Sequence, residues 1–233
     1  MQTHYIAGYK FIRLTGLTAL QQALQACCSY LSLKGTVLLS EEGININLAG
    51  MPEAIEQFKS FLNNDSRFDD MCFHEMSTET LPFQRLKIKI KKEIITLRQS
   101  NVHAALKRAN SISPQQLKQW LDEQHTMTLL DTRNDYEVDY GTFNGALNLH
   151  LKHFGEFPQA INQLDKDKPV VMFCTGGIRC EKAALYMEDQ GFKEVYQLDG
   201  GILGYFNQVG ETHYSGGCFV FDERVSVKAD SFS

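Results

Sequence analysis

A chain of 233 residues that is 43% hydrophobic, 22% charged and 11% aromatic, with formal net charge −5, is globular in composition, which excludes disorder, collagen-like repeats and a long coiled coil. No run approaches the ~18 apolar residues of a membrane span, and the opening MQTHYIAGYKFIRL lacks the charged-then-apolar order of a signal peptide, so a soluble, cytoplasmic protein with no membrane partner is expected. The length fits one large domain or two small ones, and the charge is uneven: residues 1–100 hold 11 Lys/Arg against 10 Asp/Glu, residues 101–233 hold 12 against 18.

Tyr5 to Leu14 reads as a strand, and Leu17 to Leu33 carries Leu17, Leu20, Leu24, Cys27, Cys28 and Leu31 at helical spacing. TVLLS (36–40) and ININ (44–47) flank the turn EEG, the pattern of a hairpin. Pro52 opens a second helix that runs through Leu62, and two further strands are expected at 68–76 and 85–97. The order βαββαβ with an added strand predicts a ferredoxin-like (acylphosphatase-like) α+β domain over residues 1–97. Residues 98–112 have no evident core face and are read as a linker. Ser113 and Pro114 then cap and open a helix, PQQLKQWLDEQ. The short apolar runs MTLLDT (127–132) and PVVMFC (169–174) suit a parallel sheet covered on both faces. A helix at EKAALYMEDQ (181–190) ends at Gly191, and a strand at VYQLDGG (195–201) completes an α/β domain.

The segment PVVMFC-TGGIRC-EKAALYM is the most informative. A buried strand ends at Cys174, the loop Thr175, Gly176, Gly177, Ile178, Arg179 follows, and a helix begins near Cys180. A thiol is a poor nucleophile and a thiolate a good one. Converging backbone N–H groups, a helix N-terminus and the Arg179 charge would supply that thiolate, and the two glycines let the backbone bend around it. Cys174 is therefore the expected nucleophile, as an exposed thiolate. Arg179 either supports that anion or pairs with an acid such as Glu137. Cys180 either resolves an oxidised Cys174 or packs inward. Asp131 and Arg133 stand at a strand's C-terminal end, where α/β sheets place their sites, and are expected to position. Cys27, Cys28, Cys72 and Cys218 follow apolar patterning and are assigned to the core. Six cysteines without a CxxC or HExxH pattern give no disulfide framework and no metal site. His150 and His153, spaced i, i+3 with no third ligand, read as a solvated pair. Tyr136 and Tyr140 either stack a flipped base or pack.

Arg85-Leu-Lys-Ile-Lys-Ile-Lys91 alternates basic and apolar residues. In a strand this puts Arg85, Lys87, Lys89 and Lys91 on one face and Leu86, Ile88 and Ile90 on the other, with Lys92 and Arg98 extending the charge. Such a stripe suits a phosphate backbone, or an edge strand whose lysines block aggregation.

The loop Cys174-Thr-Gly-Gly-Ile-Arg179 resembles the active loop of rhodanese domains. LLDTRNDYE (129–137), GTFNGALNL (141–149) and LDGGI (198–202) stand in the order of that family's other motifs, with Thr142 where His is usual. Rhodanese-like phosphatases carry one more residue between Cys and Arg, so the loop length argues against phosphatase activity. GTVLLSEEGININLAG (35–50), LKIKIKKEIITLR (86–98), the rhodanese motifs and CFVFDERV (218–225) together resemble the tRNA uridine hydroxylases that contain a rhodanese domain. That resemblance implies a rhodanese-like catalytic domain with a central parallel sheet at 113–225, a tail at 226–233, tRNA as partner and oxygen-dependent 5-hydroxylation of the wobble uridine. Molecular oxygen is then a co-substrate, and no other cofactor is evident. Many members continue past FDERV into a Cys-rich stretch, from which nothing is carried over here. A plain sulfurtransferase working through a Cys174 persulfide is the alternative, weakened by Thr175 where many carry Arg. A non-catalytic RNA- or anion-binding module is the third reading. The oligomeric state stays open.

Overall fold

The computed structural model describes residues 2–232; Met1 and Ser233, the ends of the expected first domain and tail, lie outside the described residues. The chain divides into two compact units, one running to Ile94 and including Asp222–Arg224, the other holding Ile95–Phe221 and the residues from Val225 onward.

The first unit contains β1 (Thr3–Phe11), α1 (Leu17–Tyr30), β2 (Lys34–Ser40), β3 (Gly43–Gly50), α2 (Pro52–Asn63), β4 (His74–Thr78) and β5 (Leu86–Ile90). Its sheet runs β4-β1-β3-β2-β5. The first four strands are antiparallel, and β5 adds parallel to β2 at the edge. This is the ferredoxin-like arrangement with one added strand. Alternation sends Ile6, Val37, Leu39, Ile44, Ile46 and Leu48 to one face, where they form a core with Leu20, Leu24 and Cys28 of α1 and Ile55, Phe58 and Leu62 of α2. Each such side chain, fully buried, contributes about 1.5–3 kcal/mol, so the helical stripes dock both helices on the same face. Two strands are shorter than predicted. The first begins at His74 because residues 65–73 turn: the Phe68 N–H bonds Asp65 O at 2.8 Å, and Phe68 fills the core without joining the sheet. The second ends at Ile90, and the chain turns so that the Glu42 carboxylate takes the Ile94 N–H at 2.8 Å.

The second unit contains β6 (Asn110–Ile112), α3 (Pro114–Asp122), β7 (Thr128–Asp131), α4 (Asp135–Val138), β8 (Gly141–Phe143), β9 (Leu147–Asn148), α5 (Phe157–Ala160), β10 (Val170–Phe173), α6 (Ile178–Asp189), β11 (Val195–Leu198), α7 (Gly201–Val209), β12 (Tyr214–Gly216), β13 (Cys218–Phe219) and β14 (Ser226–Val227). The sheet β6-β11-β10-β7-β9 is parallel throughout. All four residues of β10 are buried, as a central strand covered on both faces requires. The Ser113 hydroxyl accepts the Gln116 N–H and caps α3. The linker reading of 98–112 is corrected. Val102 and Ala109 are buried in the core of this unit with Leu97, and residues 110–112 form the edge strand beside β11. Isolated apolar residues in a polar stretch carry no period, so this packing left no pattern to read. The tail is also structured, since β14 pairs with β13. Among the described residues no helix is long and apolar enough to cross a membrane.

Candidate active site

β10 delivers Cys174 to the C-terminal edge of the parallel sheet. There the chain turns through Gly177, whose φ of 100° suits glycine, into α6. The Gly177 N–H donates to Cys174 Sγ at 3.1 Å. Burial alone would raise this thiol. The Cys180 thiol as donor, the Arg179 charge and the backbone N–H groups of Arg179 and Gly177 outweigh it, bringing Cys174 from 9.0 down to about 6. Cys180 moves the other way, raised by burial and by its neighbour Cys174. Of the two, Cys174 carries the negative charge at neutral pH. Cys174 is fully buried, which corrects the expectation of an exposed thiolate.

The turn after β11 locks this loop. Ile202 N–H and Leu203 N–H bond Cys174 O and Thr175 O at 2.9 and 3.0 Å. A Cβ at Gly201 would stand 2.5 Å from Cys174 O and 2.7 Å from Thr175 O. The sequence showed LDGGI as a landmark; its mechanical role emerges only from this contact.

Arg179 is buried and held by Glu137, Nη1 to Oε2 at 2.6 Å and Nη2 to Oε1 at 2.7 Å. Arg179 thus makes the ion pair with Glu137, and its charge is among the causes that lower Cys174. Glu137 also accepts the Asn134 N–H at 3.1 Å, which fixes the start of α4. Asp131 and Arg133 face each other as a buried pair, Nη2 to Oδ2 at 2.7 Å and Nε to Oδ1 at 3.0 Å. Thr142, in the place of the usual His, donates to Asp131 Oδ2 at 2.8 Å, and Arg133 donates to Gly141 O at 2.6 Å. Their bonds tie the end of β7 to β8.

Cys180 is buried, its sulfur 3.6 Å from the Thr132 hydroxyl. Cys28 and Cys218 are buried and Cys27 is half-buried, whereas Cys72 is exposed, correcting its core assignment; it lies in the turn before β4. His150 and His153 are on irregular chain, not a helix, and pair with Asp135 and Glu156. Tyr136, Tyr140, Phe219 and Phe221 gather beside Arg179, whose guanidinium carbon lies 6.0 Å from the Phe221 ring centre. Phe219 and Phe221 escaped sequence reasoning because CFVF reads as plain core.

In the first unit, Arg85, Lys87, Lys89, Lys91 and Lys92 are all exposed. Among the described residues none of the five has a carboxylate at ion-pair distance. Lys87 and Lys89 share a sheet face, while Ile88 turns to the core. Ile90, expected on the core side, is 40% exposed, as the last residue of an edge strand. By register the face of Lys87 and Lys89 also carries Asn45 and Asn47 of β3 and Tyr9 and Phe11 of β1. The strand pattern of YKF and ININ could have revealed these four. Arg98 belongs to the second unit, beside Gly155.

A cysteine cradled by a strand-to-helix loop at the edge of a parallel sheet, in one chain with a ferredoxin-like unit, defines a two-domain protein of the rhodanese class. Residues 3–94 match the UPF0176 acylphosphatase like domain, and residues 113–208 match the Rhodanese-like domain. The chain is 46% identical to the tRNA uridine(34) hydroxylase of Cupriavidus taiwanensis, covering 97% of this chain and 83% of the relative. It is 48% identical to the protein of that name from Ralstonia nicotianae, covering 99% and 84%. A solved rhodanese-related protein of Thermoplasma volcanium is 22% identical, covering 43% of this chain and 93% of the other, at a TM-score of 0.38. The chain belongs to the tRNA uridine(34) hydroxylase family.

Proposed function

We propose that this protein is a cytoplasmic enzyme that hydroxylates C5 of the wobble uridine of tRNA, with dioxygen as co-substrate and Cys174 as nucleophile. The observation that carries the reading is the Cys174 loop, in which the sulfur accepts the Gly177 N–H at 3.1 Å and Cys180, Arg179 and the loop N–H groups lower its pKa. The thiolate adds to C6 of uracil, breaking the C5=C6 π bond and placing the electron pair on C5 and the C4 carbonyl oxygen. C5 then bonds dioxygen. A soluble thiol reductant, two thiols becoming one disulfide, supplies two electrons and two protons that cleave the O–O bond, leaving one oxygen on C5 and releasing the other as water. Loss of the C5 proton expels the thiolate and restores the double bond. The balance is uridine, dioxygen, two electrons and two protons to 5-hydroxyuridine and water. Arg179 stabilises the thiolate before attack and after expulsion. Because Cys174 is buried, the side chains over the loop give way before the base reaches it. Arg85, Lys87, Lys89, Lys91 and Lys92 contact the tRNA backbone.

The test is mass spectrometry of tRNA nucleosides from cells lacking the protein, complemented with wild type or Cys174→Ala. Wild type is expected to restore 5-hydroxyuridine-type nucleosides and the variant to restore none. Full restoration by the variant would remove Cys174 from the reaction.

A further inference from the structure

The rings beside the catalytic loop are more exposed than packing alone requires. Tyr136 is 44% exposed, Tyr140 45% and Phe221 63%. They are not scattered. The Phe219 ring centre lies 5.3 Å from Tyr136, 5.3 Å from Tyr140 and 5.2 Å from Phe221, so four rings form one continuous apolar surface. Its far end is fixed to the catalytic loop, since Phe221 lies over the Arg179 guanidinium. Arg179 in turn supports the Cys174 anion.

A contiguous exposed aromatic surface marks a binding site more often than a folding accident. The position of this one selects the occupant. Whatever lies on Phe221 is one ring away from the Arg179 that serves the nucleophile, so it is part of the substrate or directly attached to it. A base that reaches a buried sulfur leaves its stack, and its neighbours lose a stacking partner. Exposed aromatic rings replace that partner without regard to base identity, because every base has a π-face. We infer that Tyr136, Tyr140, Phe219 and Phe221 form the platform on which the unpaired RNA bases flanking the target uridine stack while it enters the Cys174 loop. The inference rests on the proposed uridine hydroxylation and adds the subsite that holds the RNA during it.

The test uses the full chain and an anticodon stem–loop RNA carrying 2-aminopurine next to the wobble uridine. Binding to wild type is expected to quench the fluorophore by stacking. Tyr140→Leu and Phe221→Leu should each weaken binding about tenfold, within the range for one lost base–aromatic stack, and should reduce quenching. Tyr140→Phe and Phe221→Tyr should restore both, which separates stacking from loss of structure. A wild type that quenches the fluorophore without hydroxylating the uridine would support the platform while removing the proposed reaction. Hydroxylation with quenching unchanged in both leucine variants would overturn the platform. A solution mass that rises with protein concentration in wild type but not in Phe221→Leu would assign the rings to a second copy of the chain and overturn it also.

Discussion

Glu137 holds both terminal nitrogens of Arg179, at 2.6 and 2.7 Å, and both residues are buried. Removing one partner of a buried pair leaves the other charged and unsolvated, a loss of about 3–5 kcal/mol. Glu137→Ala is expected to lower stability by that amount, read from the midpoint of chemical denaturation at unchanged slope. Glu137→Gln keeps one acceptor for the guanidinium and should lose less. If neither variant moves the midpoint, the pair is not what fixes α4 to the catalytic loop.

Gly201 is held at φ +60°, where an added Cβ would meet Cys174 O at 2.5 Å. A non-glycine residue in this conformation costs about 1–2 kcal/mol, and here the obstacle is backbone that cannot swing aside. Gly201→Ala is expected to destabilise by ~2 kcal/mol or more and to depress hydroxylation by shifting the loop carbonyls. Gly191 supplies the control, because it has φ +87° with nothing within 4 Å of a Cβ. Gly191→Ala should show the backbone strain without the loss of activity. Equal activity in the two variants would disconnect the turn after β11 from the catalytic loop.

Much of this was legible in the sequence, for physical reasons. The α2 stripe Ile55, Phe58, Leu62 repeats at helical spacing, and the β3 alternation of Ile44, Ile46 and Leu48 has period two; each period states which face is buried. PVVMFC-TGGIRC carries its own meaning, since glycines around a Cys and Arg describe an anion cradle. What was hidden depends on distant contacts. Leu97, Val102 and Ala109 are single apolar residues in a polar stretch, and only the second unit's core explains them. Sequence named Glu137 as a partner for Arg179 but could not say that both carboxylate oxygens are used. Burial of Cys174 is likewise invisible, because a loop sequence does not show what covers it.

Lys87 and Lys89 project from one face of β5, and Arg85 and Lys91 flank them, all exposed and without ion-pair partners among the described residues. If they contact phosphates, each releases counterions on binding, and its loss flattens the salt dependence. The triple variant Lys87→Gln, Lys89→Gln, Lys91→Gln should weaken tRNA binding and reduce the slope of log K against log salt by about one per lost contact. The measurement is a binding series across salt concentrations with unmodified tRNA. Unchanged slope would leave β5 as an edge strand protected by its lysines.

Cys174 titrates near 6 in the folded protein, against an ordinary value of 9.0. Between those values the folded chain holds a thiolate where the unfolded chain holds a thiol, so ionisation favours folding. The contribution is complete above about 9, shrinks as pH falls toward 6, and is absent below 6. Cys174→Ser should therefore flatten the pH dependence of stability across this window, followed by denaturant midpoints at several pH values. Thiolate absorbance, taken as the difference between wild type and Cys174→Ser, should rise through about 6 as pH increases. Hydroxylation measured as kcat/KM should fall on the acidic side with the same midpoint. A thiol that ionises only near its ordinary value would remove the proposed nucleophile at neutral pH and leave Arg179 paired solely with Glu137.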